Sequence, residues 1–286
     1  MEIARKSKHA ILILALVIME EDGFKLVNRR KKPGQRKGRH FLERNVDTFK
    51  RGRRKNKPTC DGSYGLETIR IDSAEELQEQ IEKCRIELRV GGYLERVRQS
   101  IEQCFEAEQP PAFTEIVCYG LGSFTHHVVP LYQLALLVAL KEELRYSDRI
   151  VIYDPCFTDF ELKILPSFGF HVLEENTECQ YPVTGRTLFF MLHMYRNHYN
   201  NVLKSNWHQL ELVALYSNSF EDMMRSDHLS SEYREDPDWE YLFKLADGQS
   251  EYQVEEQRVR NEFPSNENVF NNLSILTFTK KIKDRI

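Results

Sequence analysis

Apolar positions along this chain recur in two different periods, and the change from one to the other divides it. After Ser73, Leu77, Ile81, Cys84 and Leu88 follow at steps of three or four residues, the spacing of one face of an α-helix. Ser73 and Glu76 stand where a capping box would begin that helix. Gly91-Gly92 interrupts the pattern and residues 93–105 resume it, so two consecutive helices are predicted ahead of the core. From residue 115 the pattern shifts to short, mainly apolar runs: 116–119 (IVCY), 149–153 (RIVIY), 170–173 (FHVL), 187–192 (TLFFML), 212–216 (LVALY) and 273–278 (LSILTF). Each is bounded by turn-forming residues and is too short for a buried helix, so each reads as a strand. Helices are predicted between them. Pro130 opens one that runs to Leu144 and is apolar on nearly every face. Thr158 and Glu161 cap a second, which Gly169 stops, and a third lies near residues 199–207.

Strands without polar alternation, separated by helices, imply a mostly parallel sheet covered on both faces. Right-handed crossovers then confine the topology to a Rossmann-like or flavodoxin-like α/β fold. Residues 66–286 are expected to form that single domain. The acidic stretch 221–262, with 13 acidic residues against 5 basic ones, reads as a surface insertion that suits docking of a basic segment.

Charge changes the picture at the other end. The formal charge of −4 conceals an asymmetry, because residues 29–57 hold 14 Lys and Arg against Glu43 and Asp47. That segment carries a net charge of about +12, which leaves about −16 on the remainder. Rich in Gly, Lys and Arg and poor in apolar side chains, it cannot bury enough surface to offset its ordering entropy. Residues 1–65 are therefore expected to be a basic, disordered N-terminal tail. Such a tail suits nonspecific nucleic-acid contact or nuclear import, and with only Phe41 and Phe49 as aromatics it offers little for base stacking. The run 10–19 (AILILALVIM) is shorter than the roughly 20 residues a bilayer needs, and Glu20, Glu21 and Asp22 follow it in place of a small-residue cleavage site. No membrane is expected. The six cysteines form no Cys-x-x-Cys pair and read as reduced thiols, which places the protein in the cytoplasm with access to the nucleus.

In open α/β sheets, ligands bind outside the carboxyl ends of the strands. The residues that fall there are Gly120, Gly122 and Ser123; Asp154; His193; and Asn218 and Ser219. Gly120-Leu121-Gly122-Ser123 has two glycines of the dinucleotide fingerprint and lacks the third, so it is either a ligand loop or a tight turn. Asp154 follows Gly120 by 34 residues, whereas a ribose-binding acid follows by about 20; it contacts a polar ligand or shapes the Asp-Pro turn. Asp159 and Glu161 are read as helix-start residues. His193, with an ordinary pKa of about 6.5, is a proton donor, a metal ligand or a hydrogen-bonded strand-end residue. His126-His127 adjoin the glycine loop without metal-binding spacing, and no dedicated base accompanies Cys156. No catalytic set is visible. Three classes stay open: a regulatory protein with a small-molecule pocket, an enzyme acting on a nucleotide or small anionic metabolite, and a nucleic-acid binder using the basic tail.

The stretches 117–124 (VCYGLGSF), 133–137 (QLALL), 153–157 (YDPCF), 187–194 (TLFFMLHM), 206–207 (NW), 217–220 (SNSF) and 269–278 (VFNNLSILTF) occur in an order that resembles the SRR-type family, named for reduced sensitivity to red light. The resemblance covers roughly residues 112–279, and 24–32 (FKLVNRRKK) is similar to animal members. It implies input to the circadian clock and regulation of haem biosynthesis, with no established reaction. If haem is sensed, His193 or Met194 would be its axial ligands. Two departures weigh on the site: Leu192 and Met194 stand where the family carries Pro and Cys around the histidine, and Leu276 stands where it carries His. The chain has no Cys-Pro haem-regulatory dipeptide, only Pro155-Cys156 in reverse order.

Overall fold

Ser73, in extended conformation, accepts the Glu76 N–H on its hydroxyl and starts helix α1 (Ala74–Val90). The capping box is only half formed, because Glu76 reaches back to the Asp72 N–H at 3.3 Å and not to Ser73. Gly92, at φ +69°, turns the chain into α2 (Tyr93–Cys104). The computed structural model describes residues 67–105, 113–225, 234–248, 250–261 and 269–281, all belonging to the unit Lys57–Ile286. The basic segment 29–57 and the apolar run 10–19 lie outside the described residues.

Seven strands form one sheet: β1 (Glu115–Tyr119), β2 (Ile150–Tyr153), β3 (Phe170–Val172), β4 (Thr187–Met191), β5 (Val213–Asn218), β6 (Tyr252–Val259) and β7 (Leu273–Lys280). Their order is β3-β2-β1-β4-β5-β7-β6. The first five run parallel, whereas β7 is antiparallel to both β5 and β6. This is the mostly parallel α/β sheet that the uninterrupted apolar runs imply. Between the strands lie α3 (Val128–Glu142), α4 (Asp159–Ile164), α5 (Arg196–Asn206), α6 (Phe220–Met223) and α7 (Glu240–Ala246).

Alternate residues of β1 feed two cores. Ile116 and Cys118 join Leu77, Leu88, Val97 and Leu134 on one face of the sheet. Val117 and Tyr119 join Tyr199, Val202 and Leu242 on the other. Burial of each large aliphatic or aromatic side chain contributes about 1.5–3 kcal/mol, so both faces are anchored by the same strands. Helix α3 is buried at every position from Pro130 to Leu140, which is why its sequence shows no polar face.

Three features depart from the sequence expectations. The acidic stretch read as an insertion contributes α7 and the edge strand β6, whose glutamates stand outward beside buried Tyr252 and Val259. Helix α3 begins at Val128, two residues before Pro130, because the Glu67 carbonyl takes the Val128 N–H at 3.1 Å. Among the described residues no helix is long and apolar enough to cross a membrane. Cys84, Cys104, Cys118 and Cys179 are free thiols, while Cys156 is disulfide-bonded, contrary to the expectation of reduced thiols throughout. Burial pushes Cys84 and Cys179 up to about 12 and Cys104 to about 11, so these thiols carry little thiolate.

Candidate functional site

The strand order reverses between β1 and β4, and ligands of open α/β sheets sit at such a switch point, beyond the carboxyl ends of the strands. The sequence-selected residues all follow strands that end on this rim. What matters is how their polar groups are engaged.

Gly120 and Gly122 leave β1 with φ of +73° and +82°, a region that favours glycine. Neither faces open space. A side chain at Gly120 would overlap the Met194 sulfur, and one at Gly122 would come within 3.0 Å of Pro130 Cγ. The Gly120 N–H donates to the Tyr153 carbonyl at 3.3 Å. The Gly122 N–H donates to Asp154 Oδ2 at 2.7 Å, and the Cys156 N–H donates to Asp154 Oδ1 at the same distance. Asp154 thus sits directly after β2, beside the end of β1, and clasps the glycine loop to its own turn. Burial pushes its pKa above the ordinary carboxylate value, with the Cys156 and Gly122 N–H groups opposing that rise and nearby Glu161 adding to it.

Glu161, read from the sequence only as a helix-start residue, is a centre of this rim. Its side chain completes the box with the Thr158 N–H at 2.8 Å, as predicted. Its other oxygen accepts from Ser123 Oγ at 2.9 Å, from the Thr125 N–H at 2.8 Å and from Thr125 Oγ1 at 2.9 Å. The carboxylate is completely buried. Ser123 Oγ also lies 2.8 Å from His126 Nδ1. The sequence signal for this role was weak, because the capping pattern already accounted for Glu161.

His193 lies in the turn two residues after β4, in the left-handed region at φ +57°, an uncommon conformation for a non-glycine residue. Its Nε2 lies 3.2 Å from the Val269 carbonyl and its Nδ1 lies 3.3 Å from Asn218 Nδ2. Both contacts fit one neutral tautomer, with Nε2–H donating and Nδ1 accepting. Although the residue keeps solvent contact, burial around its ring pushes its pKa below the ordinary value, and the Val269 carbonyl partly opposes this. Asn218 Oδ1 in turn lies 3.0 Å from the Tyr199 hydroxyl, which is also 2.8 Å from the Met191 carbonyl. Ser219 is fully buried, and its hydroxyl caps α6 by accepting the Asp222 N–H at 3.2 Å.

The arrangement brings together two groups: Gly120, Gly122, Ser123 and Asp154 around β1 and β2, and His193 and Asn218 around β4 and β5. Ser219 is turned to helix capping. The residues do not fit axial haem ligation, since both His193 nitrogens have protein partners and the Met194 sulfur packs over Gly120. Among the described residues no group of three or more His, Cys, Asp or Glu could hold a metal ion.

Fold and rim together define an open α/β sheet protein with polar strand-end residues gathered at its switch point. The family model described as the SRR1 domain matches residues 77–277, and the chain belongs to the SRR1 family. It is 36% identical over 110 residues to the protein SENSITIVITY TO RED LIGHT REDUCED 1 of Arabidopsis thaliana, a match covering 37% of this chain and 40% of that one. It is 39% identical over 108 residues to an SRR1-like protein of Mus musculus, covering 36% and 43% of the two chains. The matched stretch thus spans about two fifths of the length of either relative. An SRR1-like protein of Drosophila melanogaster is 25% identical over 231 residues, covering 80% of this chain and 78% of the other. Among solved structures, that of the 23S rRNA methyltransferase ErmE superposes with a TM-score of 0.34 at 13% identity, covering 65% of this chain and 69% of that one.

Proposed function

We propose that this SRR1-family chain is a regulatory protein whose domain holds a small, hydroxyl-bearing and non-anionic ligand of nucleoside size in the crevice between β1 and β4. The observation that carries the reading is the Asp154 carboxylate, fixed at the end of β2 by two N–H bonds of 2.7 Å. In nucleoside-binding α/β sheets an acid at this edge takes the ribose hydroxyls. A carboxylate oxygen that accepts one N–H bond keeps a lone pair for a hydroxyl donor.

The same geometry narrows the wider expectation of a nucleotide or small anionic metabolite. A phosphate cradle needs free N–H groups, yet those of Gly122 and Thr125 point at carboxylates and that of Val128 at the Glu67 carbonyl. Two carboxylates beside the loop repel an anion and tolerate a neutral or cationic ligand. Thermal-shift and calorimetric titration of the full chain with adenosine, S-adenosyl compounds and ADP tests this. Nucleosides should stabilise the wild type, ADP should not, and Asp154→Asn should lose the response. Preferential stabilisation by ADP, or indifference to the whole panel, would sink the reading.

The finer role we assign is input to the circadian clock together with regulation of haem biosynthesis, in the cytoplasm and nucleus. Its support is the family membership, the name of the plant relative and the sequence resemblance. An unchanged rhythm and unchanged haem-precursor levels in cells lacking the protein would remove it. A second reading, nonspecific nucleic-acid contact, is favoured by the 14 Lys and Arg of residues 29–57. It requires binding that weakens steeply with salt and vanishes when that segment is deleted.

A further inference from the structure

Where a helix packs on a sheet its inner stripe is ordinarily apolar. That of α2 is apolar too, with Tyr93, Leu94, Val97 and Ile101 buried, but beside that stripe, towards β6, the helix is polar. A cavity of about 310 Å³ opens there, lined by Arg96, Ser100 and Gln103 of α2 and by Gln257, Arg258 and Arg260 at the end of β6 and just beyond it. Arg96, Ser100 and Gln103 recur at steps of four and three residues, so they share one helix face. Ser100, only 5% exposed, gives that face a small, hydroxylated floor. The cavity is open to solvent, with Gln103, Arg258 and Arg260 exposed, and a concave site with polar walls holds water or a polar ligand.

The wall chemistry selects among ligands. Guanidinium groups only donate hydrogen bonds, while amides and a hydroxyl supplement them, and among the described residues no Asp or Glu lines the cavity. Arg258 is tied to Asp222 at 3.0 Å and to Glu221 at 3.3 Å, so its charge is largely balanced. Arg96 donates through Nε to the Arg260 carbonyl at 3.1 Å, which fixes the turn after β6 against α2 and holds Arg260 at the cavity wall. Outside residues 29–57 the chain carries about −16, so this concentration of donors runs against its surroundings. Planar guanidinium forks match carboxylate and phosphate oxygens in pairs.

We infer that the cavity between α2 and β6 binds a small oxyanion, a phosphate ester or a di- or tricarboxylate, with Arg260 meeting its charge and Gln103, Gln257 and Ser100 completing its hydrogen bonds. The site is independent of the crevice at β1 and β4. Calorimetric titration of the full chain with inorganic pyrophosphate and, separately, with citrate at fixed ionic strength tests it, and the stronger of the two identifies the anion class. A single saturable site is expected, weakened about ten-fold in Arg260→Ala and partly restored in Arg260→Lys. Arg70→Ala, which removes a surface guanidinium paired with Asp72, should leave it unchanged. Arg260 is exposed, so its truncation leaves the core intact. Anion uptake equal in wild type and Arg260→Ala would belong to the basic segment and overturn the proposal. So would the absence of saturable uptake of either anion.

Discussion

The crevice between β1 and β4 and the cavity between α2 and β6 are both rich in polar groups, but they use them in opposite ways. At the crevice, nearly every polar atom of the loop faces another: Gly122 faces Asp154, Ser123 and Thr125 face Glu161, and His193 faces Asn218 and Val269. At the cavity, amides, a hydroxyl and exposed Arg260 line an open groove, while Arg258 is engaged with Asp222 and Arg96 with the Arg260 carbonyl. A closed polar network is part of the folded structure and leaves only its spare lone pairs for a ligand. An open one contributes little to folding and leaves its donors available. Truncating single polar side chains should therefore destabilise the crevice strongly and the cavity hardly at all.

The largest effect is expected at Glu161. Removing its buried carboxylate strands the Ser123 and Thr125 hydroxyls and the Thr125 and Thr158 N–H groups. Each buried donor left without a partner costs about 1–3 kcal/mol, part of which water entering the gap recovers. Glu161→Ala should thus lower stability by about 3 kcal/mol in urea unfolding. A loss below about 1 kcal/mol would show that the network is not closed, and the contrast between the two regions would collapse.

Gly120→Ala comes next. The positive φ and the overlap with the Met194 sulfur act together, and a loss of about 2 kcal/mol is expected. Met194→Ala should relieve part of it, so the double variant should lose less than the sum of the single losses. Strict additivity would mean that Met194 does not occupy the space that Gly120 leaves.

These two variants also show what was legible in the sequence. The parallel strands were readable because Ile116–Tyr119 and Thr187–Leu192 are apolar at both parities, which only a sheet buried on two faces requires. Edge strand β6 was not, because an edge strand next to solvent mixes Glu255, Glu256 and Arg258 with its few apolar residues and so imitates a charged loop. The rim residues could be located, since they follow strands. Their engagement could not: Asp154 pairs with Gly122 at a sequence separation of 32 and Glu161 with Thr125 at one of 36, distances at which no local pattern operates. The capping role of Ser219 was hidden for the opposite reason, because a strand-end serine and a helix cap look alike until the next helix is seen.

A smaller, pH-dependent effect is expected at His193. Its native pKa lies below the ordinary 6.5 because burial disfavours the charged ring, so the unfolded chain takes up the proton more readily than the folded one. The corresponding stability is complete above the unfolded value and is lost as pH falls through it towards the native value. His198 shifts in the same direction for the same cause and contributes with the same sign. Between about pH 7.5 and 5.5 the urea midpoint of the wild type should fall more than that of His193→Asn, a substitution that tolerates the left-handed backbone. Parallel curves for the two proteins would show that the ring is charged as easily in the native state as in the unfolded one.

The smallest effect is the one that most sharpens the contrast. Gln103 is exposed on α2 and faces the cavity, where no closed network depends on its amide. Gln103→Ala also replaces one good helix former with the best, so its stability should stay within about 0.5 kcal/mol of the wild type. Pyrophosphate or citrate binding should nevertheless weaken, because the lost amide is a donor to the ligand and not to the fold. Urea unfolding and calorimetry on the same sample separate the two readouts. If stability drops as it does for Glu161→Ala, the cavity is another closed network and its polar wall is structural. If stability and anion binding both stay unchanged, Gln103 only borders the void, and ligand contact passes to Arg260, Gln257 and Ser100 alone.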